Sequence, residues 1–157
     1  MYQQNQSIIY PLPTDALLLE REVVWRVKLP DDYKEFIKKE NGVIPSKRYF
    51  HFENNEKVID RFLAILAISG EKTEEDYDIG VVSTQLEGRI VFDEDNVGMQ
   101  LIPLAALFGG DFVCLNYVKE TENPSICIWY HEESYDLEPA IEFLANNFTE
   151  FLAMLQD

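Results

Sequence analysis

The side chains that could carry metal or acid–base chemistry are two cysteines, two histidines and many carboxylates. The cysteines and histidines stand at His51, Cys114, Cys127 and His131. Four such ligands could nominally hold zinc, but their spacing contains no CxxC or HxxxH pair, which argues against it. Catalysis at His131-Glu132-Glu133 would need a neighbouring nucleophile or metal, and the sequence indicates neither. We therefore predict no catalytic residue, no metal site and no cofactor.

The carboxylates gather in two clusters and at the end of one predicted strand, and Tyr77, Tyr130 and Tyr135 lie nearby. These residues form the predicted partner-binding surface: Glu74, Glu75, Asp76, Tyr77, Asp78, Asp93, Glu94, Asp95, Tyr130, His131, Glu132, Glu133, Tyr135 and Asp136. Carboxylates attract a basic partner, and tyrosines supply the aromatic anchors of interfaces. The alternative is an ordinary solvated face. Calcium could also be proposed for residues 93–96, but this loop lacks the alternating ligands and distant glutamate of an EF-hand.

The net charge of −16 is distributed unevenly along the chain. Residues 1–61 hold 10 acids and 10 bases, whereas residues 62–157 hold 19 acids and 3 bases. Such a chain repels phosphate backbones, so direct nucleic-acid binding is disfavoured. The acidic part favours a basic protein partner, although the same charge could serve solubility alone.

The length and composition of the chain limit the possible folds and cellular compartments. A chain of 157 residues with 46% hydrophobic content predicts one domain that needs no disulfide or metal to fold. The N-terminus lacks the features of a signal peptide, and the apolar runs are too short to cross a membrane. We therefore expect a cytoplasmic protein that does not bind a membrane. In that compartment the cysteines are expected to be buried thiols. Cys114 and Cys127 lie on strands that could be neighbours, so a disulfide bridge between them is geometrically possible.

The first 40 residues predict a lead segment and two helices. Residues 1–13, rich in glutamine and asparagine, are predicted to be a flexible lead or a strap before a domain spanning residues 14–157. Thr14 or Asp15 can cap a first helix that ends near Trp25. A second helix is predicted from Pro30 to Glu40, because proline suits the first helical position.

Apolar and alternating runs predict the strands of the domain. They occur at Arg48–Phe52, Val58–Ile68, Leu101–Pro103, Phe112–Tyr117, Ile126–Tyr130 and Ile141–Leu144. A helix is predicted at Tyr77–Leu86, after a capping sequence at Thr73–Asp76, and a final helix is capped by Asn147 with Glu150. This order predicts an α+β fold with a mainly antiparallel mixed sheet flanked by helices.

The stretch Leu29-Pro30-Asp31-Asp32-Tyr33-Lys34-Glu35-Phe36-Ile37, followed by Asn41-Gly42, resembles the opening signature of the SUKH superfamily of Smi/Knr-like proteins. The resemblance continues in the family's order over about residues 14–157, through the stretches 77–79, 101–105, 109–112, 114–117, 129–132 and 148–152. Val43 departs from it, since family members usually carry a second glycine there. The residues of these stretches to which we assign structural roles are Leu29, Pro30, Tyr33, Phe36, Gly42, Gly110, Asp111, Trp129, Phe148 and Phe151.

The resemblance implies a mixed sheet flanked by helices, with no shared catalytic residues. It also implies that many bacterial members are immunity proteins that bind and neutralise a toxin domain, frequently a nuclease. We therefore expect a non-enzymatic immunity protein that blocks a basic toxin by occlusion. Two alternatives remain open: an intracellular adaptor or regulator of the type that the fungal relatives provide for cell-wall synthesis, and a small-molecule-binding domain. Homodimerisation through a strand edge or an apolar patch also remains open.

Overall fold

The computed structural model describes residues 5–95, 98–119 and 122–157. The helices are α1 (Asp15–Trp25), α2 (Asp31–Glu40), α3 (Ile79–Leu86) and α4 (Phe148–Ala153). The strands are β1 (Tyr49–Phe52), β2 (Asn55–Phe62), β3 (Leu101–Leu107), β4 (Phe112–Asn116), β5 (Ser125–Trp129) and β6 (Ile141–Ala145). Short 3₁₀ helices at Thr73–Tyr77 and Glu87–Ile90 flank α3.

The six strands form one sheet whose spatial order is the order of the sequence. Each neighbouring pair is antiparallel, so short connections can join most of the strands. With four helices around this sheet, the predicted α+β fold is confirmed.

The first helix begins where the sequence predicts, and the second begins one residue later than predicted, at Asp31, because Pro30 has an extended backbone and forms its N-cap. The Thr14 hydroxyl accepts a hydrogen bond from the Leu17 amide at 3.1 Å and caps α1. The Glu22 carboxylate accepts from the Leu29 amide at 2.8 Å and pairs with Lys34 at 3.2 Å. One glutamate therefore fixes both the end of α1 and the start of α2.

An aromatic cluster joins α2 and α4 to the sheet. The ring of Phe36 in α2 lies 4.8 Å from that of Phe62 in β2 and 5.1 Å from that of Phe148 in α4. Tyr33 contacts Phe148 at 5.2 Å, and Phe151 is fully buried beside them. The apolar stripes predicted for these two helices do face the core.

The central strands are buried on both faces, as their continuous apolar sequences predict. Residues Val113–Leu115 and Ile126–Trp129 have no measurable exposure. Cys114 and Cys127 lie directly opposite each other on β4 and β5, and both are free thiols. Burial raises the pKa of the Cys114 thiol, which keeps it protonated.

The chain leaves the sheet earlier than the sequence predicts. The run Val58–Ile68 is predicted as one strand, but β2 ends at Phe62, and residues 63–66 continue as a buried irregular segment. Buried amides need partners, because an unpaired one costs about 1–3 kcal/mol. The Leu63 amide still donates to the β3 carbonyl of Leu104 at 2.8 Å, and the Ala64 amide donates to the Tyr77 carbonyl at 2.9 Å.

Two side chains satisfy the next two amides of this segment. The Ile65 amide donates to Asn41 Oδ1 and the Leu66 amide donates to Asp78 Oδ1, each at 2.9 Å. The segment therefore needs no further strand beside it, which is why the apolar run does not continue as sheet. Asp78 also accepts from the Val81 amide at 3.2 Å and caps α3, so the helix begins two residues later than predicted.

Asn41 also ties the N-terminal residues to the core. Its Nδ2 donates to the carbonyls of Ile9 at 3.1 Å and Ile65 at 3.3 Å, while the Ile9 amide donates to the Asn41 carbonyl at 2.8 Å. Ile9 is buried against Ala64, and it lies so close to Gly42 that a Cβ there would come within 2.6 Å of Ile9 Cδ1. With a φ of +69°, Gly42 is required both by space and by backbone conformation.

Replacing Asn41 by leucine should lower the free energy of unfolding by about 2–4 kcal/mol. The substitution keeps a similar volume but leaves buried groups of Ile65 and Ile9 without partners. Urea denaturation measures this change. Asn55→Leu, at an exposed position, is the matched control and should change stability by less than about 0.5 kcal/mol. Equal effects of the two substitutions would contradict the role assigned to Asn41.

Candidate functional site

A loop after β5 presents one exposed part of the predicted partner-binding surface. We call residues 131–138 the acidic loop. Glu132, Glu133 and Asp136 are exposed within it, and Tyr135 has 63% of its surface exposed. Three carboxylates and one aromatic ring therefore face solvent within five positions of the sequence.

The backbone of the acidic loop is held from several sides. Asp111 Oδ1 accepts from the His131 amide at 2.8 Å, and Ser134 Oγ accepts from the Ala140 amide at 2.8 Å. The Leu137 amide donates to the Gly88 carbonyl at 2.9 Å. Asp136 packs against Gly88 so closely that a Cβ on that glycine would overlap its carboxylate. These contacts fix the shape of the loop before any partner binds.

Arg89 is the main anchor of the acidic loop, and it was not among the predicted site residues. Its guanidinium donates to the carbonyl of Ser134 at 3.1 Å and to that of His131. The guanidinium carbon lies 5.3 Å from the ring centroid of Trp129, whose Nε1 donates to the Arg89 carbonyl at 2.9 Å. The sequence does contain a signal for Arg89, because it is one of only three basic residues among residues 62–157.

A shallow groove lies between the acidic loop and the end of α3. Its walls include Glu87, Arg89, Glu132, Tyr135 and Asp136. The carbonyl groups at the C-terminal end of a helix carry partial negative charge and add to that of the carboxylates. The groove therefore combines three carboxylates and the ring of Tyr135 with the guanidinium of Arg89, which donates to the loop carbonyls.

Tyr130 lies at the end of β5, next to the acidic loop, and is half-buried. The ammonium of Lys57 lies 5.5 Å from its ring centroid. Burial raises the pKa of Tyr130 to about 12, and the nearby Glu142 carboxylate adds to the shift. Tyr130 is therefore a neutral hydrogen-bonding aromatic group at physiological pH.

The cluster at residues 74–78 divides into two kinds of residue. Glu74 and Asp76 are exposed, and Tyr77 is 38% exposed with the Arg61 guanidinium carbon 4.2 Å from its ring centroid. Glu75 and Asp78 are buried. The two exposed carboxylates are free to meet a partner, whereas the two buried ones are not.

Both buried carboxylates bind neighbouring parts of the chain. Glu75 accepts from the amide and hydroxyl of Ser69 at 2.8 and 2.7 Å and from the Gly70 amide at 2.8 Å. The pKa of Glu75 is lowered, and the hydrogen bond from the Ser69 hydroxyl is the largest cause of this shift. Asp78 pairs with Arg21 at 3.4 Å as well as binding Leu66 and Val81. The prediction that Glu75 and Asp78 belong to a binding surface is therefore wrong. Both side chains are buried, and their oxygens already accept hydrogen bonds from the chain.

The structure does not bring the 74–78 cluster and the acidic loop together. Asp78 caps the start of α3, whereas the acidic loop lies against its end, and an eight-residue helix is about 12 Å long. The third group, Asp93, Glu94 and Asp95, is exposed and follows the second 3₁₀ helix. Asn96, which completed the calcium proposal, lies outside the described residues.

The metal alternatives gain no support from this geometry. Within residues 5–95, 98–119 and 122–157, no three histidine, cysteine, aspartate or glutamate side chains stand close enough to hold an ion. Cys114 and Cys127 are fully buried in the sheet, while His51 and His131 are exposed. In the same part of the chain, no helix is long and apolar enough to cross a membrane.

Comparison with known proteins gives one family and one relative. A family model named SUKH_6 and described as SMI1-KNR4 cell-wall matches residues 16–152, from the second residue of α1 into α4. The SPbeta prophage-derived uncharacterized protein YokK of Bacillus subtilis (strain 168) is 28% identical over 156 residues, which cover 94% of this chain and 78% of that relative. No solved structure matches. The family match confirms the resemblance found in the sequence.

Replacing Asp78 by asparagine should lower the free energy of unfolding by about 3 kcal/mol. Asparagine keeps one acceptor oxygen, so only one of the Leu66 and Val81 amides retains its partner and the other faces an NH2 group, while Arg21 loses its counter-charge. Asp76→Asn, two residues away and exposed, should change stability by less than about 0.5 kcal/mol. Thermal and urea denaturation measure both variants, and a mild effect of Asp78→Asn would contradict the structural role.

The raised pKa of Tyr130 predicts a pH-dependent contribution to stability. The folded protein holds this proton up to about pH 12, whereas an unfolded tyrosine loses it near pH 10. The contribution is therefore complete below pH 10 and is lost as the pH rises from 10 to 12. The difference in free energy of unfolding between the unmodified protein and Tyr130→Phe, measured by urea denaturation, should shrink over that interval. A constant difference would contradict the assigned environment.

Proposed function

The chain belongs to the SUKH family, and on that premise we propose that it is a non-enzymatic cytoplasmic binding protein of the immunity type. It binds a basic toxin domain and neutralises it by covering the surface that the toxin uses. Bacterial members of this family are commonly immunity proteins, and the prophage origin of the related YokK protein is compatible with such a role.

The observation that carries the proposal is the fixed geometry of the acidic loop. Its backbone is anchored by Arg89, Asp111 and Ser134, while Glu132, Glu133, Tyr135 and Asp136 are exposed. A binding loop that is already ordered loses little conformational entropy when a partner docks, so more of the contact energy appears as affinity.

Charge supports a basic partner over other classes of protein. Residues 62–157 contain 19 acids and 3 bases, and one of these bases, Arg89, spends its hydrogen bonds on the acidic loop itself. The surface of this part therefore remains strongly negative. Such a field speeds the encounter with a positively charged protein and slows that with an acidic one.

The same chemistry explains how occlusion would work against a nuclease. A nuclease holds its substrate through lysine and arginine side chains that contact phosphates. Carboxylates held at fixed positions can pair with those same side chains and exclude the nucleic acid. The groove beside Tyr135 can take one such side chain, with the ring contributing a cation–π contact.

We expect this protein to bind the toxin domain encoded beside its gene, and to release it as salt increases. The double variant Glu132→Gln/Glu133→Gln should bind at least about tenfold more weakly, mainly through slower association. Tyr135→Ala should weaken binding by about 1–3 kcal/mol, mainly through faster dissociation. Surface plasmon resonance or isothermal titration at several salt concentrations measures these changes.

The control must change net charge equally at another place. Glu56→Gln/Asp60→Asn removes two exposed carboxylates from β2 and should leave the affinity almost unchanged. If both double variants lose affinity equally, net charge rather than the acidic loop governs binding. If no complex forms at low salt, the proposed immunity role is wrong for that toxin.

A further inference from the structure

The two edges of the sheet differ, because the chain covers one of them and leaves the other open. At β1, the Tyr49 amide donates to the Gln156 carbonyl at 3.1 Å, and the Gln156 amide donates to the Tyr49 carbonyl at 2.7 Å. The residues that follow α4 therefore lie along β1 like a short additional strand. At the opposite edge, β6 pairs with β5 and with no other strand in the described part of the chain.

The pairing of β5 with β6 shows which backbone groups of β6 face outward. The Tyr130 amide donates to the Ala140 carbonyl at 2.9 Å, so the backbone of Ala140 faces β5. Successive residues of an antiparallel strand alternate between facing a neighbouring strand and facing away from it. Glu142 therefore faces β5, while Ile141 and Phe143 direct their N–H and C=O groups to the open edge. No hydrogen bond within residues 5–95, 98–119 and 122–157 uses these outward groups.

The open edge carries few of the features that keep other strands away. Exposed edges are usually blunted by lysine, proline or a covering segment, and the stretch Ile141–Ala145 contains neither lysine nor proline. Phe143 stands in the middle of β6 with 58% of its surface exposed. The regular pairing ends at Leu144, where the register shifts. The edge is therefore open to an added strand along its first three residues, 141–143.

Charge decides which kind of strand this edge accepts. Residues 120–157 contain nine acids and no lysine or arginine, and the acidic loop leads into β6. Glu142 is the charged residue of the strand itself. Pairing with β6 of a second copy would bring Glu142 and the acidic loops of two chains of net charge −16 together, and like charges on paired strands are destabilising. A basic strand is attracted by the same carboxylates.

We propose that an extended segment of the basic partner pairs with β6 and adds a strand to the six-stranded sheet. Directly opposite residues of paired strands share a face of the sheet, and successive residues alternate between faces. The segment therefore carries apolar residues opposite Ile141 and Phe143 and a lysine or arginine opposite Glu142. Basic residues that follow beyond Ala140 reach the acidic loop.

This inference deepens the proposed function and rests on it for the identity of the partner. It divides the binding between two neighbouring parts of the molecule. The exposed carboxylates of the acidic loop attract the partner and speed association. The backbone groups of β6 then form main-chain hydrogen bonds, which hold an added strand whatever its exact sequence. The alternation of apolar and basic residues opposite β6 supplies the specificity.

A peptide tests the pairing on the full chain without the toxin. The probe is a peptide of alternating valine and lysine, about eight residues long, with both ends blocked. At about 1 mM peptide, a concentration suited to weak binding, the amides of Ile141 and Phe143 should shift in nuclear magnetic resonance spectra and exchange their hydrogens at least about tenfold more slowly. The control peptide has the same sequence with N-methylated valine amides. It keeps the charge and side chains but lacks the donors that face β6, so it should give no such protection.

Two variants separate the backbone of β6 from its exposed ring. Phe143→Pro removes an outward N–H that the β5–β6 pairing does not use, so the fold should be retained, as a circular dichroism spectrum would show. It should weaken binding of the peptide and of the toxin domain at least about tenfold, by a factor that does not depend on salt. Phe143→Ala keeps the amide and should weaken binding by no more than about threefold. Equal losses in both variants would assign the contact to the ring and overturn the backbone pairing.

Three results with the peptide would also overturn the inference. They are shifts confined to the acidic loop, equal protection by the N-methylated peptide, and no change at Ile141 and Phe143. The toxin domain distinguishes this failure from that of the immunity role. A toxin complex in which these two amides stay unprotected leaves the immunity role standing and the strand pairing wrong. Protection by the peptide, with no complex formed by the toxin, supports the pairing and contradicts the immunity role for that toxin.

Discussion

The fold depends on satisfying the amides of one buried segment that belongs to no helix or strand. Residues 63–66 cross the core after β2, and their four backbone donors bind the sheet, the first 3₁₀ helix, Asn41 and Asp78. Because Asn41 ends α2 and Asp78 begins α3, this segment sets both helices against the sheet. Arg21 extends the arrangement to α1 by binding Asp78 and, at 2.5 Å, the Leu66 carbonyl.

The need to bind buried amides separates the acidic residues into two groups, one that stabilises the fold and one that is exposed to solvent. Asp78 and Glu75 are buried and bind amides of the chain, so their oxygens stabilise the fold. Glu132, Glu133 and Asp136 have exposed side chains on a loop that other residues hold in place. Carboxylates of the second group are available to a partner because the first group and Arg89 supply the internal contacts.

Local patterns could predict the helices and most strands, because caps and apolar periodicity act over a few residues. Thr14 and Asn147 cap the helices as expected, with the Glu150 amide donating to Asn147 at 2.8 Å. Long-range partners could not be predicted in this way. Asp78 looks like its exposed neighbours in the sequence, and only the arrival of Leu66 and Arg21 makes it a core residue. Likewise, the apolar run after Phe62 does not indicate that the side chains of Asn41 and Asp78 will accept the hydrogen bonds that a neighbouring strand would otherwise accept.

The free thiols of Cys114 and Cys127, which face each other on β4 and β5, can be used to measure how often the core of the protein opens. Both thiols are sealed in the middle of the sheet, and burial raises the pKa of Cys114, so the reactive thiolate is scarce while β4 and β5 stay together. A thiol reagent can therefore modify them only as fast as this part of the core opens. The rate of modification then reports how often the central strands separate, without any label being introduced.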